Sequence, residues 1–264
     1  MGNLEGKVVL VTGASRGIGA AVARRFAADG AAVAVTARTP EDGDHPLAGS
    51  VGSTVRDIRA AGHAAVAVVA DLARADDRQR LVETVREQLG PIDVLVNNAA
   101  ITYFEPVSGF DEGHWRLMFE VQVRAPFELA QLVLPEMVAR GRGWILNISS
   151  GASVHPTGPP YTRFIPGGTV YGMCKAALER FTTGLAGEVH GKGVAVNSLS
   201  PSGLVLTPGV VHHGLDRRTP VERHEKVDYM VEASYVLCTG DPETLTGRLA
   251  WSRPLLEELG ITVA

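Results

Sequence analysis

Thr12-Gly13-Ala14-Ser15-Arg16-Gly17-Ile18-Gly19 follows an apolar run over residues 8–11 and leads into a stretch where Ile18, Val22, Phe26 and Ala27 recur at helical spacing as far as Gly30. A β-branched run, a glycine-rich turn and an amphipathic helix in that order predict a strand, a tight turn and a helix, with Gly30 near the helix stop. Glycines at this junction let backbone N–H groups and the helix N-terminus approach an anion such as a pyrophosphate. The spacing is G-x-x-x-G-x-G rather than G-x-G-x-x-G, and read alone the turn also suits a tight structural connection.

Further short apolar runs lie at residues 32–36, 65–69, 94–96, 144–148 and 194–198, and a final short one reaches over 248–250. Amphipathic stretches separate them. This alternation predicts an α/β fold: one Rossmann-type doubly wound parallel sheet flanked by helices on both faces, with residues 1–264 as a single dinucleotide-binding domain. The runs are almost wholly apolar, as strands covered on both faces are. Three stretches read as long loops, 39–52, 151–168 and 207–226, and loops of that length on a regular scaffold tend to carry specificity.

The chain has 264 residues, 45% of them hydrophobic, and a formal charge of −4. A mild acidic excess argues against a nucleic-acid surface, and no apolar run approaches a bilayer span. Cys174 and Cys238 are too few for a disulfide framework, and no His or Cys spacing resembles a zinc site, so no metal is expected. The first residues carry no signal core and Gly6 does not fit a myristoylation signal, so a cytoplasmic location is expected. The sequon Asn147-Ile148-Ser149 falls in an apolar strand-like run and reads as chance.

Tyr171-Gly172-Met173-Cys174-Lys175 sets a phenol and an ammonium at i and i+4, on one face of a helix predicted over 168–190. A phenol of pKa about 10 needs a nearby cation to ionise near neutral pH and serve as an acid/base. The pair alone is commonplace on solvated helices. Its place in a series changes the reading: glycine turn, Asp71-Leu72 after the third run, Asn97-Asn98-Ala99-Ala100 after the fourth, Ser149-Ser150 after the fifth, then Tyr171 and Lys175.

In that order, through most of its length, the sequence resembles the short-chain dehydrogenase/reductase (SDR) family. The resemblance implies an oxidoreductase that moves a hydride between a nicotinamide and a small carbonyl or alcohol, with Tyr171 as acid/base, Lys175 lowering its pKa and binding ribose, and Ser150 orienting the carbonyl. Gly13, Ser15, Arg16, Gly17, Ile18 and Gly19 would cradle the pyrophosphate, and Asp71 and Leu72 would meet the adenine. Asn98 and Ala99 would border the ribose. Asp71 also suits a helix N-cap. Pro201 and Thr207 would lie near the nicotinamide, in a segment, Asn197 to Gly203, that resembles N-x-x-x-P-G with Ser202 at a glycine position. A homotetramer or homodimer is implied too.

Several departures from the family pattern stand out. Ala100 replaces a glycine. Gln122, in a helix predicted over 115–140, stands where the family places an asparagine that holds a water linking the lysine to solvent. The gap from Ser150 to Tyr171 is longer than usual, so 155–168 reads as an insertion beside the site. Tyr161 has no lysine four residues on and reads as a pocket or loop residue.

Where an NAD enzyme has an acidic residue for the ribose 2′-hydroxyl, this chain has Ala37, followed by Arg38. Arg16 and Arg38 could instead take a 2′-phosphate, so NADP(H) is the expected cofactor. His212-His213 reads as solvated and Cys174 as helix packing. Residues 101–104, Tyr161, Phe164 and the 207–226 stretch are candidates for a substrate pocket. The alternatives are a catalytically silent NADP-binding regulatory protein and a non-redox epimerase or lyase on the same scaffold; net cofactor turnover would separate these from a reductase.

Overall fold

A computed structural model describes residues 3–161 and 165–263. Seven parallel strands form the main sheet in the order β3-β2-β1-β4-β5-β6-β9. They are β1 (Val8–Thr12), β2 (Ala32–Ala37), β3 (Ala65–Val69), β4 (Val94–Asn97), β5 (Gly143–Ile148), β6 (Val194–Ser200) and β9 (Leu249–Trp251). The chain builds outward from β1 to β3, then returns to the other side of β1 with β4, and ligands bind α/β sheets at such a switch point. Each strand extends a residue or two beyond the apolar run that announces it, except β3, which matches, and β9, which is shifted by one residue. Polar strand ends such as Thr12 and Asn97 still pair along the ladder.

Alternate residues feed two cores. Val9, Val11, Val33, Val35, Val94 and Val96 pack under α1 (Gly17–Ala28), α2 (Val51–Ala60), α8 (Val227–Leu237) and α9 (Ser252–Glu258). Leu10, Ala34, Leu95, Ile145 and Val196 face the opposite way, under α3 (Ala75–Leu89), α5 (Ala125–Arg140) and α6 (Thr169–Val189). Period-two alternation of two apolar faces is what a doubly covered sheet requires.

The expected helix over 115–140 is three pieces: α4 (Glu112–Phe119), a π-helical turn at Glu120–Arg124, and α5. The turn carries Gln122. A buried arginine fixes it: Arg78 of α3 reaches Glu120 at 2.9 Å, Glu128 at 2.7 Å and the Leu72 carbonyl at 2.5 Å. Breaking such a buried ion cluster on one side costs roughly 3–5 kcal/mol, which is ample to hold one irregular turn.

Residues 207–226 are more ordered than a loop. They include α7 (Pro208–His212) and β8 (His224–Glu225), which pairs in parallel with β7 (Leu204–Val205). Helix α1 closes one residue sooner than Gly30 suggests, with Asp29 as its C-cap and Gly30 following at φ +99°. Tyr161 is 64% exposed, and Phe164 lies outside the described residues.

Candidate active site

A cleft of about 2010 Å³ opens across the C-terminal ends of the strands. That volume exceeds a typical small-ligand pocket and leaves room for a dinucleotide together with a substrate. Except for Gly19 and Gln122, every residue singled out in the sequence for catalysis or cofactor binding lines it.

The turn after β1 forms the floor. Gly13 and Gly17 adopt φ of +63° and +58°, a region that disfavours side chains, and a Cβ on Gly13 would come within 2.7 Å of the Ala99 Cα. Gly19 is needed for a different contact, since a Cβ there would lie 2.4 Å from the Asn98 amide nitrogen. Asn98 donates from that amide to the Thr12 and Gly13 carbonyls at 2.8 and 3.1 Å, and the Thr12 hydroxyl accepts from the backbone N–H groups of Asn98 and Ala99. The ends of β1 and β4 are thereby locked together, and the twelve-residue helix α1 points its N-terminus into the cradle. Bare backbone, left-handed glycines and a helix N-terminus fit a pyrophosphate.

Asp71 is not a helix N-cap. Arg74 is the N-cap of α3, while the Asp71 carboxylate accepts from the Ala73 N–H at 3.1 Å and the Asp71 N–H donates to Asp77 at 2.8 Å. An Asx turn therefore holds Asp71 and Leu72 at the cleft edge. Ala100 costs no backbone strain, because among the described residues only glycines take positive φ.

The chemistry-bearing groups meet where β5 ends over α6. Ser150 lies close enough to the Tyr171 phenol to act on its ionisation. Burial pushes the Tyr171 phenol above its usual value, and Ser150 offsets only part of that rise. One turn along, Lys175 is 3% exposed, donates to the Ile148 carbonyl at 2.8 Å and sits 5.7 Å from the Tyr171 ring centre. Burial lowers its ammonium to about 8, with Cys174 and Glu179 opposing that shift. Desolvation thus dominates both groups: the phenol is held protonated and the lysine is eased toward neutrality. Gln122 is 1% exposed; its amide nitrogen donates to the Ile101 carbonyl at 2.8 Å, and its Oε1 has no partner among the described residues.

Three contributors escaped the sequence. Glu179, two turns beyond Tyr171 on α6, accepts from the Ser149 and Ser153 hydroxyls at 2.6 and 2.7 Å and so fixes the strand end bearing Ser150. The i+4 spacing from Lys175 was the available signal. His213, expected in solvent, is half-buried in the cleft wall, edge-on to Phe104 at 5.5 Å, and Phe104 is edge-on to Tyr171 at 6.3 Å. Burial and His212 lower its pKa. His45, from the loop before α2, also lines the cleft. Cys174 packs fully buried with Met118 and Val170, and burial raises its thiol to about 11, so it supplies no nucleophile. Ser202, at a glycine position of the family pattern, is tied to Ser252 at 3.1 Å and accepts from the Arg253 N–H. Among the described residues no group of three His, Cys, Asp or Glu side chains is placed to hold a metal, and no helix is long and apolar enough to cross a membrane.

A doubly wound sheet with this cleft at its switch point defines a dinucleotide-binding oxidoreductase class. The short chain dehydrogenase family profile matches residues 7–216. An oxidoreductase of Methylorubrum extorquens is 35% identical over 258 residues, covering 94% of this chain and 97% of that protein. Among solved structures, a metagenomic short-chain oxidoreductase in complex with NADP superposes with a TM-score of 0.76 at 29% identity, covering 94% of this chain and 98% of the other. A blue fluorescent protein from a metagenomic library, in complex with NADPH, gives 0.80 at 32% identity, covering 94% and 97%. The chain belongs to the short-chain dehydrogenase/reductase family of NAD(P)-dependent oxidoreductases.

Proposed function

We propose that this protein is an NADP(H)-dependent oxidoreductase acting on a small carbonyl or secondary alcohol, with its whole length forming one catalytic domain. The observation that carries the reading is the meeting of Ser150, Tyr171 and Lys175 in one cleft, with Lys175 one helical turn from Tyr171, at the foot of a glycine cradle. When bound, the nicotinamide supplies or accepts the hydride. Ser150 and Tyr171 together hold the substrate oxygen, and Tyr171 gives a proton to it during reduction or takes one during oxidation. The buried Lys175 ammonium favours the phenolate once the phenol gives up its proton, and it is also the donor assigned to a ribose hydroxyl. Gln122 keeps a buried acceptor, Oε1, without a partner among the described residues, which suits a held water on a proton path from the lysine to solvent.

NADP(H) is favoured over NAD(H) by the absence of an acid at Ala37 and by the Arg38 guanidinium beyond it, which suits a 2′-phosphate. The NADP- and NADPH-bound relatives support the same choice. Phe104 and His213 beside Tyr171 give the substrate an aromatic wall. A homodimer or homotetramer is supported by an exposed aromatic face across α4, α5 and α6, where Trp115 stacks on Phe119 and Phe127 meets Phe181 edge-on. Two free, buried cysteines suit a reducing cytoplasm.

The decisive experiment is Tyr171→Phe, assayed with a panel of ketones, aldehydes, keto esters and alcohols by cofactor absorbance. Turnover should fall by about 10²- to 10⁴-fold, the usual range for losing a general acid/base, while NADPH binding is retained. Undiminished turnover overturns the assignment.

A further inference from the structure

The long loop between β2 and α2 is braced against the glycine turn. Arg16 donates from Nε to the Ala48 carbonyl at 3.0 Å, and from Nη2 to the Gly49 carbonyl at 2.6 Å and the Thr39 hydroxyl at 3.3 Å. Gly49, at φ +97°, packs so closely that a Cβ would lie 2.5 Å from the Ser15 carbonyl oxygen. At its far end the loop is closed by Ser50, which caps α2 in a reciprocal box with Ser53, and by Arg56, which pairs with Glu41 and Asp42. Most of the Arg16 donors are therefore spent on the loop, leaving a phosphate bound nearby to seek other partners.

That loop presents His45. Its Nδ1 accepts from the Leu47 N–H at 3.0 Å and lies 3.5 Å from Arg16 Nη1, so in the neutral ring the proton sits on Nε2, which is left as a donor. The ring is half-buried and lines the cleft with Arg38 and Thr39. The charged and titratable groups around it are Arg16 on the turn, Arg38 beyond β2 and His212 on α7; with burial, these hold the imidazole below its ordinary pKa. A place ringed by two guanidinium groups and two imidazoles, with no carboxylate acting on His45, suits a dianion.

We propose that His45 and Arg38 together hold the 2′-phosphate of the adenosine ribose, and that Arg16 is the strut that presents His45. The assignment rests on the NADP(H) reading and adds to it the residue that discriminates between the two dinucleotides. A guanidinium fork and an imidazole N–H offer complementary donors to the phosphate oxygens, whereas a ribose 2′-hydroxyl would engage neither strongly.

Calorimetric titration of the full chain with NADPH, NADH, 2′-AMP and 5′-AMP tests it, with thermal unfolding as a check that each variant is folded. His45→Ala should weaken NADPH and 2′-AMP by about 10- to 100-fold, the size of one charge-assisted hydrogen bond, and leave NADH within about twofold. His45→Gln, which keeps an N–H donor, should recover part of the loss. Arg38→Ala should show the same selectivity. Equal weakening of NADPH and NADH by His45→Ala would make the residue a loop brace and overturn the proposal, as would no change in either. Wild-type protein that binds NADH as tightly as NADPH would instead bring down the NADP(H) reading on which it rests.

Discussion

The Glu179 carboxylate accepts a hydrogen bond from the Ser153 hydroxyl at 2.7 Å, and the same hydroxyl lies 2.8 Å from the Ser150 carbonyl oxygen. With Ser149 held at 2.6 Å, one side chain of α6 thus governs the strand end that aims Ser150 at Tyr171. Glu179 is a positioning residue in this reading. Glu179→Ala strands the Ser149 hydroxyl and leaves Ser153 only the Ser150 carbonyl, so it should lower kcat by roughly tenfold, equivalent to about 1.4 kcal/mol, with the cofactor Kd little changed. Glu179→Gln keeps an acceptor oxygen and should restore most of the rate. Loss of cofactor binding in step with kcat, or no rescue by Gln, would show general structural damage instead.

Lys175 should leave a signature in the stability of the cofactor-free chain. Its ammonium is at about 8 when folded, against 10.5 for an ordinary lysine, so the unfolded chain binds more protons between those values. The burial penalty is present in full below pH 8 and is relieved as pH rises toward 10.5. Relative to Lys175→Met, the wild type should therefore gain stability across that window, by at most about 3 kcal/mol. Urea unfolding of both proteins at a series of pH values measures the difference, and parallel curves would contradict a depressed lysine.

For Gln122, the buried amide predicts two separable effects. Gln122→Asn retains an amide, so activity should stay within about tenfold and the pH optimum nearly fixed. Gln122→Leu strands the Ile101 carbonyl, which should cost about 1–3 kcal/mol of stability less whatever removing the unpaired Oε1 returns, and should slow turnover most where proton transfer limits the rate. A Leu variant with wild-type turnover at every pH would leave the proton path to backbone and solvent.

The glycine turn, the strand series and the Tyr171–Lys175 pair were legible because each is a local pattern with a local physical cause. Left-handed backbone needs glycine, a doubly covered strand needs an unbroken apolar run, and i, i+4 spacing sets two side chains on one helix face. Gln122 was visible as a departure, but the π-helical turn that carries it was not. That turn depends on Arg78 reaching from another helix to Glu120 and Glu128, and no window of sequence around Gln122 contains Arg78.

The same distinction separates His212 from His213. As adjacent histidines in a polar stretch they looked alike, and His212 is indeed exposed, while packing against Phe104 draws His213 into the cleft wall. Arg16 was read from its place in the turn as a partner for the cofactor's phosphates, but the fold brings the Ala48 and Gly49 carbonyls onto it across a loop of unassigned shape. The sequence by itself determined the fold class, the glycine turn and the order of the chemistry-bearing residues, because periodicity and glycine placement act over a few residues. Only the tertiary structure decided which donors remain available, which side chains are desolvated and which carboxylate steadies Ser150, because each depends on neighbours that are distant in sequence and adjacent in space.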